Sequence, residues 1–176
     1  MRRLVIATGA AALAAIAGMA AAQEEESTNQ VAAETDWSVF VEDNPTECWG
    51  VSKPKETVNT RDGRVVSVRR GDILLFVTFR PGSGAAGEVA FTGGYPFRDD
   101  STVTVSVSGN DYELYTEGEW AWPEDADSDA QLVEALKAGA EATVVGISSR
   151  GTTTTDTFSL MGFTAAMAEA EKRCAE

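Results

Sequence analysis

The sequence predicts an all-β domain, a β-sandwich of immunoglobulin-like kind that also carries a mid-chain helix and a C-terminal helix. Residues 101–108 alternate valine with threonine or serine, the period-two pattern of a strand with one buried and one wet face. Turn dipeptides such as Asp62-Gly63 and Gly109-Asn110 separate short runs of β-forming residues. Four successive threonines at 152–155 favour strand over helix. About eight to ten short strands of this kind suit a sandwich.

The predicted strands follow one another along the chain. The first begins at Trp37, where an acidic polar segment gives way to apolar alternation. Residues 73–79 are almost wholly apolar, which predicts a central strand covered on both faces. Glu117-Gly118 and Arg150-Gly151 mark further chain reversals. The expected strands are 37–41, 64–68, 73–79, 101–108, 112–115, 120–122, 142–148 and 152–158.

Two helices interrupt the strands. A capping box at 128–131 predicts the start of the first helix, and Gly139 predicts its end. The second helix is expected over 161–174, where apolar residues recur at helical spacing and charged residues occupy the other face. The side chains expected to face the core are Leu132, Val133 and Leu136 in the first helix, and Phe163, Met167, Ala170 and Cys174 in the second.

Residues 1–22 have the three-part layout of a secretory signal peptide. Arg2 and Arg3 form a short basic start, an uncharged run of 19 residues ends at Ala22, and Ala20-Ala21-Ala22 provides a small-residue cleavage site. An uncleaved membrane anchor is the alternative, because such a run could just span a bilayer. The run is rich in alanine, which partitions weakly into lipid. Cleavage and general export to the periplasm are therefore favoured, with later association with the outer membrane or secretion left open.

The mature chain is expected to begin with a flexible acidic tail over 23–35, ahead of a single folded domain over 36–176. The tail carries three consecutive glutamates and no apolar periodicity. Cleavage would take the formal net charge from −14 to −16, because Arg2 and Arg3 leave with the leader. Such an excess of acid favours a soluble mature protein without a membrane-spanning segment, and argues against nucleic acid as a partner.

Two cysteines are present, Cys48 near the start of the domain and Cys174 near its end. In the oxidising compartment that the leader predicts, a lone pair of this kind is expected to form a disulfide. The loop that it would close gives a stabilisation of about 4–5 kcal/mol in the chain-entropy model. Two free thiols are the alternative.

The absence of histidine from the sequence excludes several kinds of active site. A Ser-His or Cys-His nucleophile pair cannot be built, and a typical zinc site lacks its usual ligand. The sequence also contains no Gly-Lys-Ser/Thr phosphate loop and no dinucleotide fingerprint after a strand. We therefore expect a protein without enzymatic activity, cofactor or metal.

An aromatic and acidic segment permits a different reading. Trp120 and Trp122 lie among carboxylates, and an aromatic platform beside paired acids can hold or cut a glycan. A glycan-binding or glycan-active envelope protein is therefore the alternative function. Against it, the two tryptophans are two positions apart and could be core residues on one strand face, and the acids could flank a helix N-terminus. The acids are Glu117, Glu119, Glu124, Asp125, Asp127 and Asp129.

Arginines concentrate in one stretch of this acidic sequence. They could receive an acidic partner or a phosphate group. The alternative is that they offset the protein's own carboxylates across neighbouring strands. The five that fall within 20 positions are Arg61, Arg64, Arg69, Arg70 and Arg80.

Short motifs are spread along the whole predicted domain. They are Glu47-Cys48-Trp49-Gly50-Val51-Ser52, Arg80-Pro81-Gly82, Gly94-Tyr95-Pro96-Phe97, Ala121-Trp122, Leu136-Lys137-Ala138-Gly139, Ser148-Ser149-Arg150-Gly151-Thr152, Asp156-Thr157-Phe158-Ser159-Leu160 and Gly162-Phe163-Thr164-Ala165-Ala166. Together they resemble the invasion-associated locus B family of alphaproteobacteria, and the likeness extends from about Trp37 to Cys174. The resemblance implies export, a β-sandwich-like domain and a non-enzymatic role in the envelope, with host-cell interaction in pathogenic relatives. It transfers no catalytic residue.

These observations predict a periplasmic or envelope binding or accessory protein. It would contact an envelope or surface protein through a sheet face or a loop cluster, without bond chemistry. A glycan is the alternative ligand. The candidate contact residues are Arg69, Arg70, Arg80, Tyr95, Phe97 and Arg150.

Overall fold

The computed structural model describes residues 28–44 and 46–175. The predicted signal peptide over 1–22 and the first residues of the predicted tail lie outside them. In the described part of the chain, no helix is long and apolar enough to cross a membrane.

The described residues form twelve strands, hydrogen-bonded side by side into one antiparallel sheet. The strands are β1 (Gln30–Glu34), β2 (Trp37–Glu42), β3 (Glu47–Ser52), β4 (Glu56–Arg61), β5 (Arg64–Val65), β6 (Leu74–Arg80), β7 (Ala85–Thr92), β8 (Thr102–Val107), β9 (Asn110–Glu117), β10 (Trp120–Trp122), β11 (Glu141–Ile147) and β12 (Thr153–Ser159). Their order across the sheet is β1-β2-β3-β6-β7-β10-β9-β8-β11-β12-β4-β5. Most of them coincide with the strands that the sequence predicts.

The sheet folds over so that its two halves face each other across one core. Phe91 on β7 meets Phe158 on β12 edge to face, with ring centroids 6.2 Å apart. The indole Nε1–H of Trp37 on β2 donates to the carbonyl oxygen of Ser159 on β12 at 3.0 Å. Both contacts join one half of the strand order to the other. The predicted all-β, sandwich-like class with two helices is therefore confirmed.

Strand β1 is a correction to the predicted tail. Residues 30–34 were expected to be flexible as part of 23–35, yet they pair antiparallel with β2. Val31 and Ala32 pack against the core and are partly buried. A run of only three apolar residues is too short to show a period, so the sequence carries little sign of this edge strand.

The two helices are α1 (Ala126–Ala138) and α2 (Phe163–Cys174). The carboxylate of Asp125 accepts the backbone N–H of Ser128 at 2.8 Å, so the N-cap is Asp125. The predicted start at the 128–131 capping box is therefore wrong by about one turn, while the predicted end at Gly139 is confirmed. All the side chains predicted to face the core from both helices are buried.

Helix α2 lies on the inner face of strands β1, β2, β3 and β6. Phe163 meets Trp37 edge to face, with centroids 4.8 Å apart. A Cβ atom on Gly50 would lie 2.2 Å from the terminal methyl carbon of Met167, so glycine in β3 leaves room for the flexible end of this helix side chain.

The predicted disulfide is present and links Cys48 to Cys174. The two Cα atoms lie 5.7 Å apart, a normal separation for a bridge. The bond ties the last turn of α2 to strand β3. It therefore closes nearly the whole domain into one covalent loop.

Candidate functional site

Four of the six sequence-predicted contact residues line one cavity of about 460 Å³, which we call the arginine pocket. The segment after β5, the loop between β7 and β8, and the turn between β11 and β12 surround it. A backbone hydrogen bond of 2.8 Å from Gly71 to Gly94 holds the first two of these segments together. The side chains that give the pocket its character are Arg61, Arg69, Arg70, Tyr95, Glu119 and Arg150.

Arg70 forms the buried base of the pocket. Its side chain is 6% exposed, and it donates Nη1 and Nη2 to the two carboxylate oxygens of Asp156 at 2.7 and 2.6 Å. Its Nε also donates to the carbonyl oxygen of Gly93 at 2.8 Å. Burial raises the pKa of Asp156, against the opposing effect of the Arg70 hydrogen bonds and charge. Arg70 is thus committed to an internal partner.

Tyr95 stands beside this pair and forms part of the wall. The Arg70 guanidinium carbon lies 5.0 Å from the Tyr95 ring centroid, a cation–π distance. The hydroxyl oxygens of Tyr95 and Thr154 are 2.5 Å apart and share a hydrogen bond, while burial raises the pKa of Tyr95. A Cβ atom on Gly146 would lie 3.1 Å from the Tyr95 hydroxyl, so a glycine in β11 makes room for this ring.

The arginines at the mouth of the pocket are exposed, unlike the buried side chain of Arg70. Arg61, Arg69 and Arg150 are exposed, and Arg61 donates to the Thr152 hydroxyl at 2.7 Å. Within residues 28–44 and 46–175, neither Arg69 nor Arg150 forms an ion pair. Planar guanidinium groups bind carboxylates and phosphates through paired hydrogen bonds. A cavity that holds unpaired arginines in a chain of net charge −14 is therefore suited to an anion.

The other two predicted contact residues lie elsewhere. Phe97 is 4% exposed and packs against Phe91 in the core, with ring centroids 6.2 Å apart, so it offers no surface to a partner. Arg80 lies outside the pocket and forms ion pairs with Glu47 and Glu88. For Arg70 and Arg80, the alternative that arginines offset internal carboxylates describes the observed pairing.

Trp120 and Trp122 are not core residues. Each is 38% exposed, whereas Ala121 between them is fully buried and faces the core. Two of the neighbouring acids form hydrogen bonds within the fold: Asp125 caps α1, and Asp129 accepts a hydrogen bond from the backbone N–H of Val89 at 2.8 Å. Burial raises the pKa of Asp129. The tryptophans therefore lie on the surface, while two of the acids proposed to act with them serve the local fold.

The comparison with known families agrees with the fold and the motifs. A family model described as "Invasion associated locus B (IalB) protein" matches residues 37–171. The chain belongs to the invasion associated locus B family. The match covers nearly the whole of the folded domain, including the arginine pocket and the tryptophan pair.

A solved relative shares the fold of this IalB-family protein. The crystal structure of invasion associated protein b from Bartonella henselae aligns with a TM-score of 0.55 at 18% sequence identity. The alignment covers 82% of this chain and 98% of that one. At this identity the likeness shows the fold alone. No match was found among curated proteins.

Sequence reasoning missed two important members of the sites in this IalB-family protein. Asp156 was quoted only as part of a motif, although it shares the inward face of β12 with Thr154 and Phe158. A carboxylate at an inward position of a strand is a signal for a buried cation. Trp49 was likewise assigned no role, although it lines a surface cavity together with Trp120 and Trp122.

Among the described residues, no three His, Cys, Asp or Glu side chains gather closely enough to hold a metal ion.

Proposed function

We propose that this IalB-family protein is a non-enzymatic binding protein of the cell envelope, which receives an acidic group of a partner protein in the arginine pocket. The observation that carries the proposal is the presence of Arg69 and Arg150, exposed and without an ion pair among the described residues, in the mouth of one cavity. No carboxylate of the described residues neutralises these two guanidinium groups, so both can pair with an acidic group of a ligand.

The buried base of the pocket supports the same conclusion. Arg70 is fixed by Asp156, Gly93 and Tyr95, so the loop that carries its neighbour Arg69 is held in place before a ligand arrives. A preformed site loses less conformational entropy on binding than a flexible one. Within the pocket, Arg70 therefore has a structural role, whereas Arg69 and Arg150 are available to the ligand.

We also propose that the protein is located in the cell envelope and has no catalytic activity. The disulfide between Cys48 and Cys174 suits an oxidising compartment outside the cytoplasm. The chain has no histidine with which to build a common nucleophile pair. The family description refers to invasion, which supports a partner in the envelope or at the cell surface, including host contact in pathogenic relatives.

Titration calorimetry with a hexaglutamate peptide and with inorganic phosphate tests the proposal. We expect saturable binding of the peptide that weakens as salt is added, because exposed charges are screened. The double variant Arg69→Glu/Arg150→Glu should bind about 30-fold more weakly or worse, since it replaces attraction with repulsion. Tighter binding of phosphate than of peptide would assign the pocket to phosphate groups and reject a protein carboxylate as its target.

The control is Lys172→Glu, a charge reversal at another exposed position, on α2, which packs on β1, β2, β3 and β6. It should leave peptide binding unchanged. Equal affinity for the peptide in the wild type and Arg69→Glu/Arg150→Glu, or no saturable binding of either probe to the wild type, would contradict the proposed function.

A further inference from the structure

A second surface, distinct from the arginine pocket, gathers aromatic side chains on the outer side of the sheet. We call it the outer aromatic face and define it by Phe40, Trp49, Phe76, Trp120 and Trp122. The strand register places them together, because Phe40 pairs with Trp49 and Phe76 pairs with Val51 of the same strand. Strands β2, β3, β6 and β10 each contribute at least one ring.

The rings contact one another in two groups. Phe40 and Trp49 stack with centroids 5.6 Å apart and planes inclined by 9°. Trp120 lies 5.7 Å from Phe76 and 6.5 Å from Trp122, and the two tryptophan planes are inclined by only 21°. A surface cavity of about 380 Å³ lies among Trp49, Phe76, Trp120 and Trp122 and joins the two groups. Near-parallel indole rings therefore line an open cavity.

Polar groups border the same cavity. Arg80 donates its Nε to the Glu47 carboxylate at 2.7 Å and pairs with Glu88 through Nη1. Arg80 and Glu47 both line the cavity. The ion pairs hold the guanidinium at the edge of the aromatic surface, with hydrogen-bond donors and acceptors side by side. The site thus combines an apolar floor with a small number of fixed polar groups.

We propose that the outer aromatic face binds a neutral saccharide chain. The C–H face of a pyranose ring is apolar and can pack on an indole ring, while its hydroxyl groups require both donors and acceptors at the edge. Trp120 and Trp122 supply the exposed rings, and Arg80 and Glu47 supply the edge. The cavity is of a size that ligand sites commonly have.

Charge argues against other occupants. Arg80 is outnumbered by Glu47 and Glu88, in a chain of net charge −14, so an anionic polymer would be repelled. A second copy of the chain would bring the same acids together. A neutral saccharide carries no charge and is not repelled.

Intrinsic tryptophan fluorescence gives a direct test. Trp37 is 1% exposed in the core, and the other three tryptophans of the chain belong to the outer aromatic face. The probes are hexamers of α-1,4-glucose, β-1,4-glucose and β-1,4-N-acetylglucosamine. We expect at least one of them to change the fluorescence saturably. In calorimetry with that hexamer, Trp120→Ala/Trp122→Ala should weaken binding about tenfold or more.

Two controls separate this inference from the proposed function. Val65→Ala removes an exposed apolar side chain away from the face and should bind the hexamer like the wild type. Arg69→Glu/Arg150→Glu should also retain hexamer binding, although it loses the hexaglutamate peptide. No saturable response to any of the three hexamers would overturn the inference. Unchanged affinity in Trp120→Ala/Trp122→Ala would also overturn it. So would size-exclusion chromatography that shows a dimer for the wild type and both control variants but a monomer for Trp120→Ala/Trp122→Ala.

Discussion

Arg70 and Asp156 form a buried ion pair with two parallel hydrogen bonds, Nη1 to Oδ1 at 2.7 Å and Nη2 to Oδ2 at 2.6 Å. Asp156 is fully buried on β12, and Arg70 belongs to the irregular segment between β5 and β6. The pair therefore fixes that segment to the sheet. It also sets the base of the arginine pocket, so the stability of the fold and the shape of the site depend on the same contact.

Removal of one partner should be costly. Asp156→Asn leaves the Arg70 guanidinium buried without its counter-charge, and we expect a loss of about 3–5 kcal/mol in the free energy of unfolding. Urea denaturation followed by circular dichroism measures it. Arg69→Ala, at the exposed neighbour, is the control and should change stability by less than about 0.5 kcal/mol. Equal effects of the two substitutions would show that the pair is not structural.

The cost of losing Arg70 should depend on pH. In Arg70→Leu only desolvation acts strongly on Asp156, so the folded-state pKa of this carboxyl lies further above its unfolded value. Stability in this variant is then greatest below the unfolded pKa and is lost as pH rises through the folded pKa. We expect the deficit relative to wild type to grow between about pH 4 and pH 7. Urea midpoints across this range measure it. A deficit that does not change with pH would contradict the burial effect.

Much of the fold follows from residue patterns. The valine alternation in β8, the apolar faces of both helices and the cysteine pair all depend on local periodicity or on a lone chemical partner, and each is confirmed. The predicted start of α1 was wrong because two residues could serve as its N-cap. Ser128 and Asp125 both suit that position, and it is the Asp125 carboxylate that accepts the capping hydrogen bond, from the Ser128 N–H.

The candidate sites were harder to predict because they depend on which strands become neighbours. The apolar run at 73–79 predicted a strand covered on both faces. In the structure the side chain of Phe76 belongs to the partly exposed outer aromatic face instead. The sequence contains no sign that β3 and β10 approach across β6 and β7. Likewise, Arg70 and Arg150 are 80 positions apart, and they line the same pocket only because the loops that carry them pack together.

The disulfide should supply a large part of the stability. Cys48→Ala/Cys174→Ala opens a loop with a sequence separation of 126, and the chain-entropy model predicts a loss of about 4–5 kcal/mol. Urea unfolding with and without reductant measures the effect, since reduced wild type should match the variant. Mass spectrometry after thiol alkylation should detect no free thiol in protein purified from the envelope. Two alkylated cysteines in that sample would contradict both the bridge in the cell and the proposed compartment.

Gly162 should be indispensable for the attachment of β1. Its φ angle is +90°, and a Cβ atom there would lie 1.9 Å from the carbonyl oxygen of Glu34, the last residue of β1. Gly162→Ala combines left-handed backbone strain with a clash that only a backbone shift relieves. We therefore expect a loss of about 2–5 kcal/mol in urea denaturation. Backbone amides of β1 should also exchange hydrogen faster than in the wild type.

Gly118→Ala separates the two causes. Gly118 has a φ angle of +59°, but a Cβ atom there would meet nothing within 4 Å. This variant should show the backbone strain alone, about 1–2 kcal/mol, with the protection of β1 amides unchanged. If Gly162→Ala cost no more than Gly118→Ala and left β1 protected, then β1 would not be anchored by its contact with the start of α2. Residues 30–34 would in that case be held by their hydrogen bonds to β2 and by the packing of Val31 and Ala32 against the core.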